Sequence, residues 1–352
     1  MRRKRKAPDN DKTRSTDPRF FYQKDHDWYK DIENMGFVEE QTVPEVFDNE
    51  FNIHAAFEHL GWEEILKLPN KYYPELVKEF YANLKEKDKV NCISLSSYVR
   101  GKSIEITDTK LNEWYKFPGK GGRLHFSKMG DKSQCTLDRD WDKTAAIKHL
   151  DIPYSINRKK QWTVYAKFCS IKLRLIAWLL RTNMMPTHST STNELRLTDI
   201  FTLQMMTTNP LPEHIPGIDL AKTIIEEIWN AAKSKSHFIF PCLISDVLKK
   251  HKVGLSHHES VIVPVKLNED KMKNFGYTKI AGVWTNARQH GSVDYPVPLH
   301  PPSHEPRDDE PESSSAAPSE SYDIATRLTN LEATQATLLA GQVEIRASLN
   351  LT

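Results

Sequence analysis

The sequence predicts a mainly α-helical protein: a helical domain with a minor β-hairpin, preceded by a disordered basic arm and followed by a proline-rich linker and a coiled-coil helix. Three observations lead there. Apolar residues recur at helical spacing through the middle of the chain, one stretch alternates with period two instead, and both ends shift in composition away from anything that could pack. At 352 residues, with 38% hydrophobic content and eight tryptophans, the chain has enough apolar surface for one substantial core.

Residues 1–19 are polar and basic and form the expected arm. The helical domain is expected over 20–256. Within it, Ile53, Phe57 and Leu60 lie at helical spacing, and Leu76, Val77, Phe80, Tyr81 and Leu84 form a second stripe behind Pro74, a residue suited to a first helical turn. In the segment 91–107, Ile93 and Leu95, then Ile104 and Ile106, alternate with polar residues around Arg100-Gly101-Lys102, the pattern of a hairpin. Asp108 is placed to cap a short helix carrying Leu111, Trp114 and Tyr115, and the glycines at 119, 121 and 122 end it and open a surface loop over 118–135.

From Trp162 the helical period returns through Tyr165, Cys169, Leu173, Ile176 and Leu180 and stops near Asn183, ahead of Pro186; this is the expected central buried helix. Further helices are expected over 193–206, behind Asp219 with Leu220, Ile224, Ile228 and Ala231 inward, and around Leu243, Ile244, Val247 and Leu248 up to Gly254. Residues 257–320 read as an irregular segment and linker: seven of the twenty prolines fall between Asp294 and Glu320, beside acidic residues and a Ser313-Ser314-Ser315 run. In 321–352, Ile324, Leu328, Leu331, Gln335, Leu338, Gln342, Ile345 and Leu349 follow an alternating four-three spacing, the seam of a short coiled coil. Such a seam is exposed unless it meets a partner, so self-association is the expected default, with the two glutamines lowering stability and limiting register.

Charge and chemistry narrow the function classes. The net charge of +2 carries no molecule-wide field for nucleic acid. Any such contact falls to the run Arg2, Arg3, Lys4, Arg5 and Lys6, which suits a phosphate backbone or a nuclear-import receptor equally and otherwise reads as a solubilising tail. Cys92, Cys135, Cys169 and Cys242 are far apart and make neither a disulfide framework nor a zinc knuckle. Arg100-Gly101-Lys102-Ser103 has the closing letters of a phosphate-binding loop, but Ser96 stands where its first glycine is required.

His251, His257, His258 and Glu259 cluster without an established metal-ligand spacing, and His188 beside Ser189 lacks a nucleophile elbow. Asp138, Asp140, Asp142, Glu226 and Glu227 supply acids but no defensible triad for two-metal chemistry. No catalytic residue, metal or cofactor is expected. The basic start has no apolar stretch behind it, and Leu175 to Leu180 is far too short to span a bilayer, so a soluble intracellular protein with no membrane contact is expected, nuclear or else cytoplasmic.

Three segments carry a resemblance: His59-Leu60-Gly61-Trp62, the stretch from Pro74 to Leu84, and Val99-Arg100-Gly101-Lys102. Three more follow in the second half: Asn183-Met184-Met185-Pro186-Thr187-His188-Ser189, Ile224 to Ile228, and Phe240-Pro241-Cys242-Leu243-Ile244. In this order, over roughly residues 45 to 256, they resemble the "Putative plant transposon protein" domain found in open reading frames of Athila-like retrotransposons. The resemblance implies a plant retrotransposon origin and carries no functional residue onto these positions. The expected role is nucleoprotein assembly, with a nuclear protein-interaction adaptor and a metal-dependent nucleic-acid enzyme as rivals.

Overall fold

A computed structural model of the protein describes residues 13–89, 92–121, 141–156, 162–186, 194–208, 217–234 and 237–286. Contacts divide the chain at Pro301, and every described residue belongs to the first unit. About half of what is described is helical, with several small sheets between the helices.

The first described residues form a turn closed on itself. Residues 13–19, assigned to the arm by composition, are tied down: Arg14 pairs antiparallel with Tyr22, and the Gln23 N–H donates to the Thr13 carbonyl at 2.8 Å. Helix α1 (Gln23–Ile32) follows, then the two-residue strand β1 (Phe37–Val38) and helices α2 (Glu45–Phe51) and α3 (Ile53–Glu58), separated by Asn52 in the left-handed region. Strand β2 (Lys71–Tyr72) leads into α4 (Pro74–Ala82), whose Leu76, Val77 and Phe80 are fully buried, as the stripe behind Pro74 predicts.

The predicted hairpin is present and larger than expected. Strands β4 (Cys92–Val99) and β5 (Lys102–Thr107) pair in the register Val99↔Lys102, and β3 (Lys85–Lys89) adds a third antiparallel strand on the far side of β4. The charged sequence of β3 hides this strand from any apolar pattern, while suiting an edge that must not pair with another molecule. Arg100 and Gly101 both take positive φ, 48° and 80°, which is what a two-residue turn between twisted strands requires. Helix α5 (Asp108–Tyr115) starts one residue earlier than Asp108 capping implies: the Thr107 hydroxyl accepts from the Lys110 N–H at 3.1 Å. Of the expected surface loop at 118–135, only residues 118–121 are among those described.

Helix α6 (Lys143–His149) is capped by Asp142. The apolar run from Trp162 then divides differently from the single helix predicted. It opens as strand β7 (Trp162–Val164), paired with β6 (Tyr154–Ile156), passes through a 3-10 turn at Ala166–Phe168, and becomes helix α7 (Ile171–Asn183) only where Ser170 caps the Leu173 N–H. Helix α7 is the central helix: Leu175, Ile176, Leu179 and Leu180 have essentially no exposure. Helix α8 (Leu197–Thr207) begins later than the predicted 193, and α9 (Leu220–Ser234) has the Asp219 carboxylate on the Lys222 N–H at 3.2 Å.

Strand β8 (Phe238–Ile239) runs parallel to β1, pairing Phe37 with Phe238 and Val38 with Ile239, and α10 (Pro241–Lys250) follows. Residues 257–286, expected to be irregular, carry regular structure: β9 (Val261–Ile262) pairs with β2, and α11 (Glu269–Asn274) leads to the hairpin of β10 (Tyr277–Ile280) and β11 (Val283–Asn286). This tail closes on the N-terminal helices. Trp284 stacks on Phe47 at 6.1 Å and donates to Glu50 at 3.1 Å, and the Tyr277 hydroxyl donates to the Cys169 carbonyl. The proline-rich stretch and the coiled-coil seam lie outside the described residues.

Candidate functional site: an aromatic and cationic surface, a cleft, and committed carboxylates

Arg2, Arg3, Lys4, Arg5 and Lys6 and the seam Ile324, Leu328, Leu331, Gln335, Leu338, Gln342, Ile345 and Leu349 lie outside the described residues, as do His188, Asp138 and Asp140. The remaining sequence candidates resolve into structural duties. Arg100 and Gly101 form the hairpin turn, where the Arg100 N–H donates to Glu79 at 2.7 Å and its guanidinium pairs with the same carboxylate at 3.1 Å. His251 closes α10: its Nδ1 lies 3.0 Å from the Val247 carbonyl and its Nε2 3.3 Å from the Glu105 N–H, which makes Nδ1 the donor and Nε2 the acceptor. Among the described residues no group of three or more His, Cys, Asp and Glu side chains could hold a metal. Asp142 caps α6, and Glu226 and Glu227 are half-buried on α9. No helix among those residues is long and apolar enough to cross a membrane.

Among the described residues, the five buried carboxylates are all bound by the chain's own donors. Asp25 meets Lys85 at 3.3 Å. Glu79 meets Arg100, and Asp219 meets Lys222 at 2.9 Å. Asp199, with no exposure, sits between Arg181 and Arg196, each at 2.7 Å; burial pushes its carboxyl up, and the two guanidiniums more than reverse this, holding it below the usual range. Glu40 follows β1 and reaches the start of α10, accepting from the Cys242 N–H at 3.1 Å and the Leu243 N–H at 2.8 Å. Its burial outweighs those donors and pushes its carboxyl up to about 7. Beside it, burial and the Glu40 charge hold the Cys242 thiol far above the ordinary range, so this cysteine is an inert core residue.

A cleft of about 460 Å³ opens between α3, α6, α7 and α8. Its floor is Ala55, Ala56, Leu150, Leu173 and Met206, and His59, His149 and Lys172 stand on its walls. Both histidines are already turned to helix ends: His59 Nε2 meets the Thr208 carbonyl at 2.9 Å, and His149 Nε2 lies 3.3 Å from the Thr207 hydroxyl. His59 closes α8 in the way donating side chains commonly close a helix C-terminus, while His149 touches only the hydroxyls of its last residues.

A second surface was not legible as a site in the sequence. Phe20, Phe21 and Tyr22 are consecutive, and a bend at Phe21 leaves Phe20 in the core at 3% exposure and Phe21 outside at 51%. Tyr98, on β4, meets Phe21 edge-on at 5.2 Å, and Tyr22 lies 5.4 Å from it. The Lys85 ammonium stands 4.2 Å from the Tyr22 ring and 5.9 Å from Phe21, with Lys24 5.9 Å from Tyr22. The signal available beforehand was the run Phe20-Phe21-Tyr22 beside Lys24, which reads equally well as the opening of the core.

A family model described as "Putative plant retrotransposon-related domain" matches residues 58–254, from the end of α3 to just beyond α10. Comparison with curated proteins and with solved structures returns no match. The matched span covers more than half of the chain and contains the His59-to-Trp62, Pro74-to-Leu84 and Phe240-to-Ile244 segments; the protein belongs to this plant retrotransposon-related family.

Proposed function

We propose that this transposon-derived protein is a non-catalytic assembly protein. Its folded, mainly helical body acts as a scaffold between a basic arm that grips nucleic acid and a C-terminal coiled coil that joins copies. The observation that carries this reading is the commitment of Asp25, Glu40, Glu79, Asp199 and Asp219 to the chain's own donors. Carboxylates arranged for two-metal phosphodiester chemistry must converge on one open point; these five instead secure the starts of α1, α8, α9 and α10 and one hairpin turn. The seam at 324–349 supplies oligomerisation and Arg2 to Lys6 supply phosphate contacts, so joined copies present several basic arms together. Weak contacts linked in this way gain avidity and become steeply salt-dependent. The basic run also suits nuclear import, which gives the protein a nuclear address.

The test is the light-scattering mass of the full-length protein and of a version ending at Glu320, each with and without single-stranded RNA and DNA at two salt concentrations. An oligomer that falls to monomer on truncation, and whose nucleic-acid binding weakens with salt, is expected. A monomer indifferent to truncation and to both nucleic acids refutes the proposal, and divalent-metal-dependent cleavage of the strands would move the protein to the enzyme class.

A further inference from the structure

We propose that Phe21, Tyr22 and Tyr98, framed by Arg14, Lys24 and Lys85, form a stacking platform for single-stranded nucleic acid. Single apolar residues on a surface are ordinary and need no explanation. Here two aromatic rings lie within 5.4 Å of Phe21, which is itself half exposed, and two ammonium groups stand over Tyr22. That combination matches what unpaired strands offer: flat bases with π faces for the rings, and phosphates for the cations. A duplex, whose bases are already stacked, offers only the phosphates.

The surroundings favour an anionic occupant over a cationic or purely apolar one. Asp25 is buried with Lys85 on it, and Asp17 is paired to Arg19 at 2.7 Å, so these two carboxylates are neutralised before a strand arrives. Ion pairing with Arg19 holds the Asp17 carboxyl down to about 2. Arg14 is exposed, and its backbone is paired to Tyr22, one of the three rings. The seven peptide steps from Lys6 to Thr13 span at most about 25 Å. The five-cation run is therefore tethered within a few nucleotides of the rings, and one strand can occupy both. Phosphates meet the run while bases stack on Phe21 and Tyr98.

This assignment takes its ligand class from the nucleic-acid reading above, and its test separates the two. Full-length protein is titrated against fluorescent single strands of RNA and of DNA, about 12 nucleotides long, and against a duplex, over a salt series. Phe21→Ala and Phe21→Leu are each expected to weaken single-strand binding about 5-fold to 100-fold with the salt slope unchanged, because a stacked base is worth ~1 to 3 kcal/mol and releases no counterion. Phe21→Trp keeps or raises affinity. Replacing Arg2 to Lys6 with glutamine lowers the salt slope instead. Leucine retains the apolar volume without the π face, so the comparison holds even where alanine disturbs the fold, and circular dichroism of each variant checks that. Equal affinity of wild type, Phe21→Leu and Phe21→Trp overturns the platform while leaving the basic arm intact as a binder. Preference for duplex over single strands also overturns it. Wild type that binds none of the three overturns the platform and the assembly reading together.

Discussion

Glu40→Gln tests which of two opposing effects governs the carboxylate that joins β1 to α10. Two N–H donors at 2.8 and 3.1 Å, at the positive end of a helix, favour the charged form; complete burial disfavours it. Burial wins, and the group titrates near 7 when folded against 4.5 ordinarily. A raised carboxyl means the folded state holds a proton that the unfolded chain has released, so its stabilising share is complete below about pH 4.5 and is lost as pH rises through about 7. At 1.36 kcal/mol per pH step the wild type loses roughly 3 kcal/mol over that window from this residue alone.

Glutamine has nearly the same shape and cannot ionise, but the two N–H bonds fall on different carboxylate oxygens, so its one amide oxygen keeps one of them and its N–H₂ faces the other donor. Its amide N–H₂ has no partner provided, which costs about 1 to 3 kcal/mol at every pH. The variant should therefore be the less stable of the two at pH 5 and should equal or exceed the wild type at pH 8. Urea denaturation of both proteins from pH 5 to 8 reads this directly, since titrations elsewhere cancel in the difference. A stability gap that stays constant across the range would show that Glu40 is ionised throughout and that the helix donors, not burial, set its state.

Two further substitutions test the packing. Gly61 combines a φ of +68° with a position where an added Cβ would lie 2.8 Å from the Pro118 ring, so Gly61→Ala should cost roughly 2 to 4 kcal/mol by chemical denaturation. Gly254, with nothing within 4 Å, should tolerate alanine with no measurable loss. Asp199→Asn leaves Arg181 and Arg196 facing an uncharged amide in the interior and should cost about 3 kcal/mol, whereas a neutral result would mean the two cations find other partners. The Asp199 carboxyl is held low, so wild type should lose this contribution only as pH falls below the ordinary carboxylate range, and the variant should lack that acid-side loss.

The helices were legible where their signals were local. The stripe behind Pro74, the inward face of α9 and the apolar face of α10 each need only a few neighbouring residues to declare themselves, and all three are buried as the spacing implies. The start of α7 was misread because Trp162 and Tyr165 satisfy a helical period by coincidence, and Ser170, the residue that decides the boundary, is an unremarkable letter in the sequence. Two-residue strands such as β1 and β2 carry no period, since their partners are β8 and β9, far along the chain. Glu40 gave no advance sign, because a carboxylate next to a turn reads as solvated until the distant helix start it serves is known. Phe21 was hidden by its neighbours: consecutive aromatics show that something is buried, and only the backbone decides which ring is left outside.

The pairing of Phe37 with Phe238 also has a consequence in time. Chains emerge at about 5 to 20 residues per second, so the first of these strands waits on the order of ten to forty seconds for the second. Meanwhile Phe37, Tyr72 and the apolar faces of α2 and α4 have no native cover from α10 or from the Trp284 hairpin that closes over Phe47. Ribosomes that stop early release a chain with its sticky surface in the open, and every copy engaged on one message holds that surface close to the next.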